Sequence, residues 1–186
     1  MLENFYAIGV SYIKTDAETR GKFSIDGARG ESLSHDAHDL GIEALIVIST
    51  CNRTELYGFA SSPDQLIDLL CKHTKGDTDL FKIEGYVFQN EQAVNHLFRV
   101  GTGLDSQILG DFEIISQIKQ AFRRSKALQL NNVFLERLVN AVIQASKRIK
   151  NQTEISSGAT SVSFASVRYL LKNIPDINEK NLLLFG

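Results

Sequence analysis

The 186-residue sequence has no tryptophan, only two prolines, one methionine and two cysteines. So few prolines leave long stretches free to be helical. Cys51 and Cys71 stand in unlike surroundings and make no disulfide framework, so a reducing cytoplasm is the expected location. Neither sign of charge dominates: 20 Lys and Arg against 22 Asp and Glu leave a net charge of −2. That excludes a global basic field for non-specific binding to nucleic acid or membrane, and any phosphate contact must come from a local patch. No apolar run approaches the ~20 residues of a membrane helix. The opening MLENFYAIGVSYIKTD lacks a basic start and is interrupted by Gly9 and Ser11, so neither a signal nor a transit peptide is expected. What is present is ordinary globular material, 43% hydrophobic and 23% charged. A chain of this length can bury roughly 70% of its unfolded surface without a disulfide or metal staple.

Apolar periodicity divides the chain into elements. Phe5 to Val10 reads as a strand, followed by a polar segment of weak helix or loop up to Gly41. Ala44 to Thr50 and Glu55 to Ala60 read as two strands of a hairpin. Pro63 opens a helix carrying Leu66, Ile67, Leu69, Leu70 and Cys71 and ending near Gly76, and Tyr86 to Phe88 is a short strand. Asn90 stands as an N-cap for a helix carrying Ala93, Val94, Leu97 and Phe98 and ending at Gly101. A helix in the polar segment would complete the βαββαβ order of an α+β, ferredoxin-like domain. Two further helices are predicted over 112–127 and 131–150. Residues 151–161 form a polar break, then come a helix over 162–173 and a turn at Pro175–Asn178. The run LLLFG (182–186) reads as the first buried strand of a truncated Rossmann α/β domain. The expected division is 1–152 for a catalytic domain with a helical extension and 153–186 for the start of a nucleotide-binding domain.

Some residues can carry chemistry. Cys51 lies between two predicted strands with Arg53 two positions on, a setting that favours the thiolate, the form that attacks carbonyl carbon. A small residue at a strand end is the plainer reading. Cys71 sits on an apolar helix stripe and reads as inert packing. His96 precedes the turn Gly101–Gly103 and could move protons near neutral pH, although a lone helical histidine is more often packed. His35 and His38 have no further ligands nearby, and no metal is assigned. The segment from Gly101 to Lys126 offers Asp105, Ser106, Asp111, Glu113 and Gln117 as polar groups for a ligand, or as parts of a capped helix. Lys119, Arg123, Arg124 and Lys126, then Lys147, Arg148 and Lys150, form basic clusters suited to helix-dipole compensation or to phosphate.

The blocks STCNRTELY (49–57), NHLFRVGTGLDSQILGD (95–111), QIKQAF (117–122) and SSGATSVSFASV (156–167) together closely resemble the glutamyl-tRNA reductases. The resemblance implies that Cys51 attacks the ester of glutamyl-tRNA and forms a thioester, which NADPH reduces to glutamate-1-semialdehyde, the first step of the five-carbon route to tetrapyrroles. It implies substrate contacts at Thr50, Asn52, Arg53, Ser106 and Gln117, with Arg53 clamping a carboxylate, and a role in activity for His96. Where the family commonly has Glu-Pro-Gln, this chain has Asp111, Phe112 and Glu113, matched by position but changed in reach, charge and donors. The resemblance further implies a homodimer formed through a carboxy-terminal domain, and a cofactor site beyond Gly186, so that NADPH is not expected to bind these residues alone. A cysteine-dependent acyl-transfer enzyme and a non-catalytic RNA-binding module are the rival readings.

Overall fold

Strand β1 (Phe5–Ser11) is buried along its whole length, because helices cover both faces of the sheet it centres. In the computed structural model, residues 3–153, 155, 162–181 and 183 are described, residue 162 by its backbone alone. They form a mixed α/β architecture around a four-stranded antiparallel sheet of order β2-β3-β1-β4. The other strands are β2 (Leu45–Ser49), β3 (Arg53–Phe59) and β4 (Tyr86–Gln89).

Alternation along β1 sorts its side chains. Tyr6, Ile8 and Val10 pack with Leu45 and Leu56 beneath α2 (Gly27–Asp39), α3 (Pro63–Lys72) and α4 (Thr78–Glu84). Phe5 and Ala7 pack with Ile46, Ile48 and Tyr57 beneath α5 (Glu91–Gly101), α6 (Glu113–Ala127) and α7 (Val133–Gln152). Each fully buried Leu, Ile or Phe contributes about 1.5–3 kcal/mol to this packing. The helix stripes are those the sequence requires: Ala93, Leu97 and Val100 on α5, Ile114, Ile118 and Phe122 on α6, Leu135, Leu138 and Val142 on α7.

The polar segment contains two helices, a short α1 (Ala17–Lys22) and α2, started by Asp16 and Asp26, whose carboxylates accept from Thr19 and Arg29 N–H. Helix α4, capped by Asp77, has no counterpart in the sequence prediction, because Phe81 is its only buried residue. Asn90 does precede α5, but it makes no side-chain cap hydrogen bond and has φ 55°. Strand β3 begins at Arg53, two residues before the predicted start, and this places the Arg53 side chain on a sheet face. Helix α8 (Val162–Asn173) and a 3-10 turn (Ile177–Glu179) follow. The expected strand at 182–186 and the SSGATS part of the last sequence block lie essentially outside the described residues. Among the described residues no helix is long and apolar enough to cross a membrane.

Candidate active site

The face of the sheet under α5 grows polar towards the β2–β3 hairpin. Phe5 pairs with Phe59, Ala7 with Tyr57, Gly9 with Glu55, and Ser11 with Arg53. On the other side of β1, Gly9 pairs with Tyr86 and Ala7 with Phe88. Gly9 is the opening that lets Glu55 and Tyr86 meet across the central strand. A methyl group there would lie 2.5 Å from the Thr54 carbonyl oxygen and 2.7 Å from Glu55 Cγ.

Glu55 is completely buried and accepts four hydrogen bonds. Arg53 Nη1 donates to Oε1 at 2.9 Å, Tyr57 Oη donates to Oε2 at 2.7 Å, and Tyr86 Oη also donates to Oε1. His96 Nε2 completes the set at 2.9 Å, and because an ionised carboxylate only accepts, Nε2 carries the proton. Burial pushes the Glu55 carboxyl up, but the Arg53 guanidinium overrides it, helped by His96 and Tyr86, and brings it down to about 2. Burial and the Glu55 charge together raise the Tyr57 and Tyr86 hydroxyls well above their usual range, so both remain donors. His96 projects from α5 into a box of rings, with Phe88 at 4.6 Å, Tyr86 at 5.4 Å and Tyr57 at 6.1 Å between centroids.

The loop between α5 and α6 closes over Arg53. Gly103 and Gly110 have φ of 75° and 81°, and the Gly110 N–H donates to the Gly103 carbonyl at 3.0 Å. The clasp holds Asp105 so that Arg53 Nη1 reaches its carboxylate at 3.2 Å and Nη2 donates to its carbonyl oxygen. Ser106, half-buried, is the next residue. Asp111 accepts from Glu113 N–H at 2.9 Å and so starts α6, Phe112 lies under Lys150 at 5.5 Å, and Glu113 and Gln117 are exposed on the first two turns.

At the hairpin tip the Thr50 hydroxyl accepts from the N–H groups of Asn52 and Arg53, both at 3.1 Å, which shapes the turn and leaves Cys51 exposed. Arg53 is not the cation at the tip, because its guanidinium turns inward to Glu55 and Asp105. Arg20 takes that place: its Nε donates to the Cys51 carbonyl at 3.2 Å and its Nη1 to Thr15 at 2.5 Å. The Tyr12 N–H ties the tip to β1 through the Asn52 carbonyl at 2.9 Å. Cys71 is half-buried, and burial pushes its thiol up to about 11.

The structure thus joins Arg53, His96 and the loop of Ser106 through Glu55 and Asp105, at the foot of the hairpin that presents Cys51. His96 meets Glu55 rather than Cys51. Among the described residues no hydrogen bond ties Asp111, Phe112, Glu113 or Gln117 to the tip, and no group of three or more His, Cys, Asp or Glu gathers that could hold a metal ion. Sequence reasoning missed Glu55 and Arg20. The alternation Arg53, Glu55, Tyr57 on one strand face was a visible signal for Glu55, whereas Arg20 acts across 31 positions.

The family model described as "Glutamyl-tRNAGlu reductase, N-terminal domain" matches residues 8–153. The chain belongs to this family. It is 66% identical over 182 residues to the glutamyl-tRNA reductase of Flavobacterium psychrophilum, covering 98% of this chain and 44% of that protein. It is 64% identical over 184 residues to that of Christiangramia forsetii, covering 99% and 44%. Among solved structures it is similar to the glutamyl-tRNA reductase from Methanopyrus kandleri, with a TM-score of 0.74 and 27% identity over 91% of this chain and 40% of that one. The chain therefore spans less than half the length of these relatives.

Proposed function

We propose that Cys51 is the nucleophile that takes the glutamyl group from glutamyl-tRNA. The observation that carries this reading is the exposed thiol at the tip of a hairpin whose base is pinned by the buried Arg53–Glu55–His96 network, in a chain of the glutamyl-tRNA reductase family. The thiolate attacks the ester carbonyl and a C–S bond forms. The bond to the ribose oxygen breaks, and that oxygen leaves with a proton. The thioester that remains is more electrophilic than a carboxylate.

Arg53 recognises the substrate carboxylate by paired hydrogen bonds from the donors it does not spend on Glu55 and Asp105. Thr50 and Asn52 fix the tip, Ser106 contacts the substrate from the clasped loop, and His96 orients the acyl group from the ring box. Asp111, Phe112, Glu113 and Gln117 contribute from the start of α6. The arrangement of 5–89 is a ferredoxin-like split βαβ, residues 1–152 are the catalytic domain with its helical extension, and 153–186 begin a Rossmann domain. The whole protein uses NADPH to reduce the thioester to glutamate-1-semialdehyde and works as a cytoplasmic homodimer.

The described residues do not fit the cofactor. Among them no strand runs through a glycine-rich turn into a helix N-terminus, the cradle a pyrophosphate needs. We therefore assign the acyl transfer, and no step of the reduction, to the described residues. Mixed with glutamyl-tRNA in single turnover, the chain is expected to deacylate one equivalent in a burst, and Cys51→Ser to abolish it. A burst that survives Cys51→Ser refutes the assignment.

A further inference from the structure

A cavity of about 490 Å³ opens beside the hairpin, and the hydrogen-bond network does not fill it. Its floor is aromatic: Tyr86 and Phe88 of β4 lie 5.3 Å apart, with the His96 ring 4.6 Å from Phe88. Its rim is cationic, with exposed Lys14 from the turn after β1 and exposed Arg99 from α5. Asn95 adds a side-chain amide to the lining. The acid in the lining, Asp105, is already held by Arg53, so the rim's positive charge is left to an outside partner.

The cavity is linked to the hairpin that carries Cys51 through the chain itself. Lys14 lies two residues beyond Tyr12, whose N–H is bonded to the carbonyl of Asn52, the neighbour of Cys51. Asp105 lines the cavity and grips Arg53 at the base of the same hairpin.

Resting on the reading of Cys51 as the glutamyl acceptor, we propose that this cavity seats the 3′-terminal nucleoside of the tRNA, its base stacked on Tyr86 and Phe88 and its 5′ phosphate between Lys14 and Arg99. The volume falls in the range of small-molecule sites, ~300–1,000 Å³. An unpaired RNA end is recognised by stacking on aromatic side chains, which every base can accept on its π face. Two cations beside such a platform provide the phosphate contact and make binding salt-dependent. The Asn95 amide can donate to and accept from a base edge. A glutamyl side chain alone would leave this aromatic floor unused, since its carboxylate is matched by Arg53.

The test uses the 186-residue chain and tRNA(Glu) whose terminal adenosine is replaced by 2-aminopurine riboside, a base whose fluorescence is quenched by stacking. Titration with the chain is expected to quench the probe to saturation. Phe88→Leu keeps an apolar side chain but removes the ring, and is expected to abolish most of the quench and weaken binding by about tenfold. Arg99→Ala, which lies at the exposed rim, is expected to weaken binding and flatten the dependence of log K on log salt by about 0.7, the share of one phosphate. Arg99→Lys should restore the slope. The glutamyl-tRNA concentration giving half-maximal burst rate should rise in Phe88→Leu by the same factor as Kd.

A burst with an unquenched probe, or equal quenching in Phe88→Leu, overturns the nucleoside seat alone. So does displacement of the probe by nicotinamide mononucleotide at lower concentration than by adenosine monophosphate. A quenched probe with no burst in the unaltered chain leaves the seat standing and overturns the role of Cys51.

Discussion

Replacing Glu55 with glutamine isolates the centre of the buried network. The side chain keeps its size, but Arg53 loses its innermost counter-charge and is left with Asp105 alone. The amide group would also face donors, since Arg53, Tyr57, Tyr86 and His96 all donate to this side chain. Breaking a buried ion pair by removing one partner costs about 3–5 kcal/mol, a large share of the ~5–15 kcal/mol that holds a domain together. The titration of Glu55 gives a second measure. Its carboxyl is at about 2 in the fold against 4.5 unperturbed, so the folded state favours the ionised form and the stabilisation is complete above pH 4.5. It is lost as pH falls from there through about 2, and at ~1.36 kcal/mol per unit it amounts to about 3 kcal/mol. Urea unfolding followed by far-UV circular dichroism at neutral pH and in steps into acid measures both. Glu55→Gln should lose about 3–5 kcal/mol at neutral pH and show a shallower decline in acid. A loss below ~1 kcal/mol, or an unchanged acid decline, would refute the reasoning. Arg53→Met combined with Glu55→Gln should cost less than the two single changes together, because neither of these two buried charges is then left without the other.

Gly9→Ala forces a methyl group against Thr54 and Glu55 and should destabilise by more than about 2 kcal/mol, read from the urea midpoint. Gly110→Ala combines φ 81° with a methyl 2.7 Å from Ile155 Cγ2, and is expected to cost about 1–3 kcal/mol and to slow the Cys51 burst by loosening the loop that carries Asp105. Titration of the folded chain with a disulfide thiol reagent near neutral pH should show one fast thiol, Cys51. Cys71, half-buried and with its thiol raised to about 11, should react far more slowly. Equal rates for the two thiols would contradict the placement of Cys71.

Much of the frame is legible in the letters. Four strands and the helices α5, α6, α7 and α8 fall within a residue or two of their predicted ranges, because each carries an apolar pattern of one period, whereas α3 starts at Pro63 as expected but ends at Lys72 rather than near Gly76. The polar stretch before Gly41 was hard to read because α2 buries only Leu33, Ser34 and Ala37 and is held by its cap instead. Cys51 was conspicuous as a cysteine in a polar turn. Glu55 was not, because its importance depends on Gly9 and Tyr86, which reach it only through sheet register, and on His96 descending from a helix 41 positions away. Arg53 reads as a cation near the thiol, yet the two-residue earlier start of β3 turns it into the core. Local patterns specify elements; which charges meet is decided by register and crossing.

Peptide mapping by mass spectrometry, after brief mixing of the chain with glutamyl-tRNA and acid quench, bears most directly on the proposed chemistry. One glutamyl group is expected on the peptide containing Cys51, with Cys71 unmodified. Free glutamate with an unmodified Cys51 throughout the burst, or label on Cys71, would contradict it.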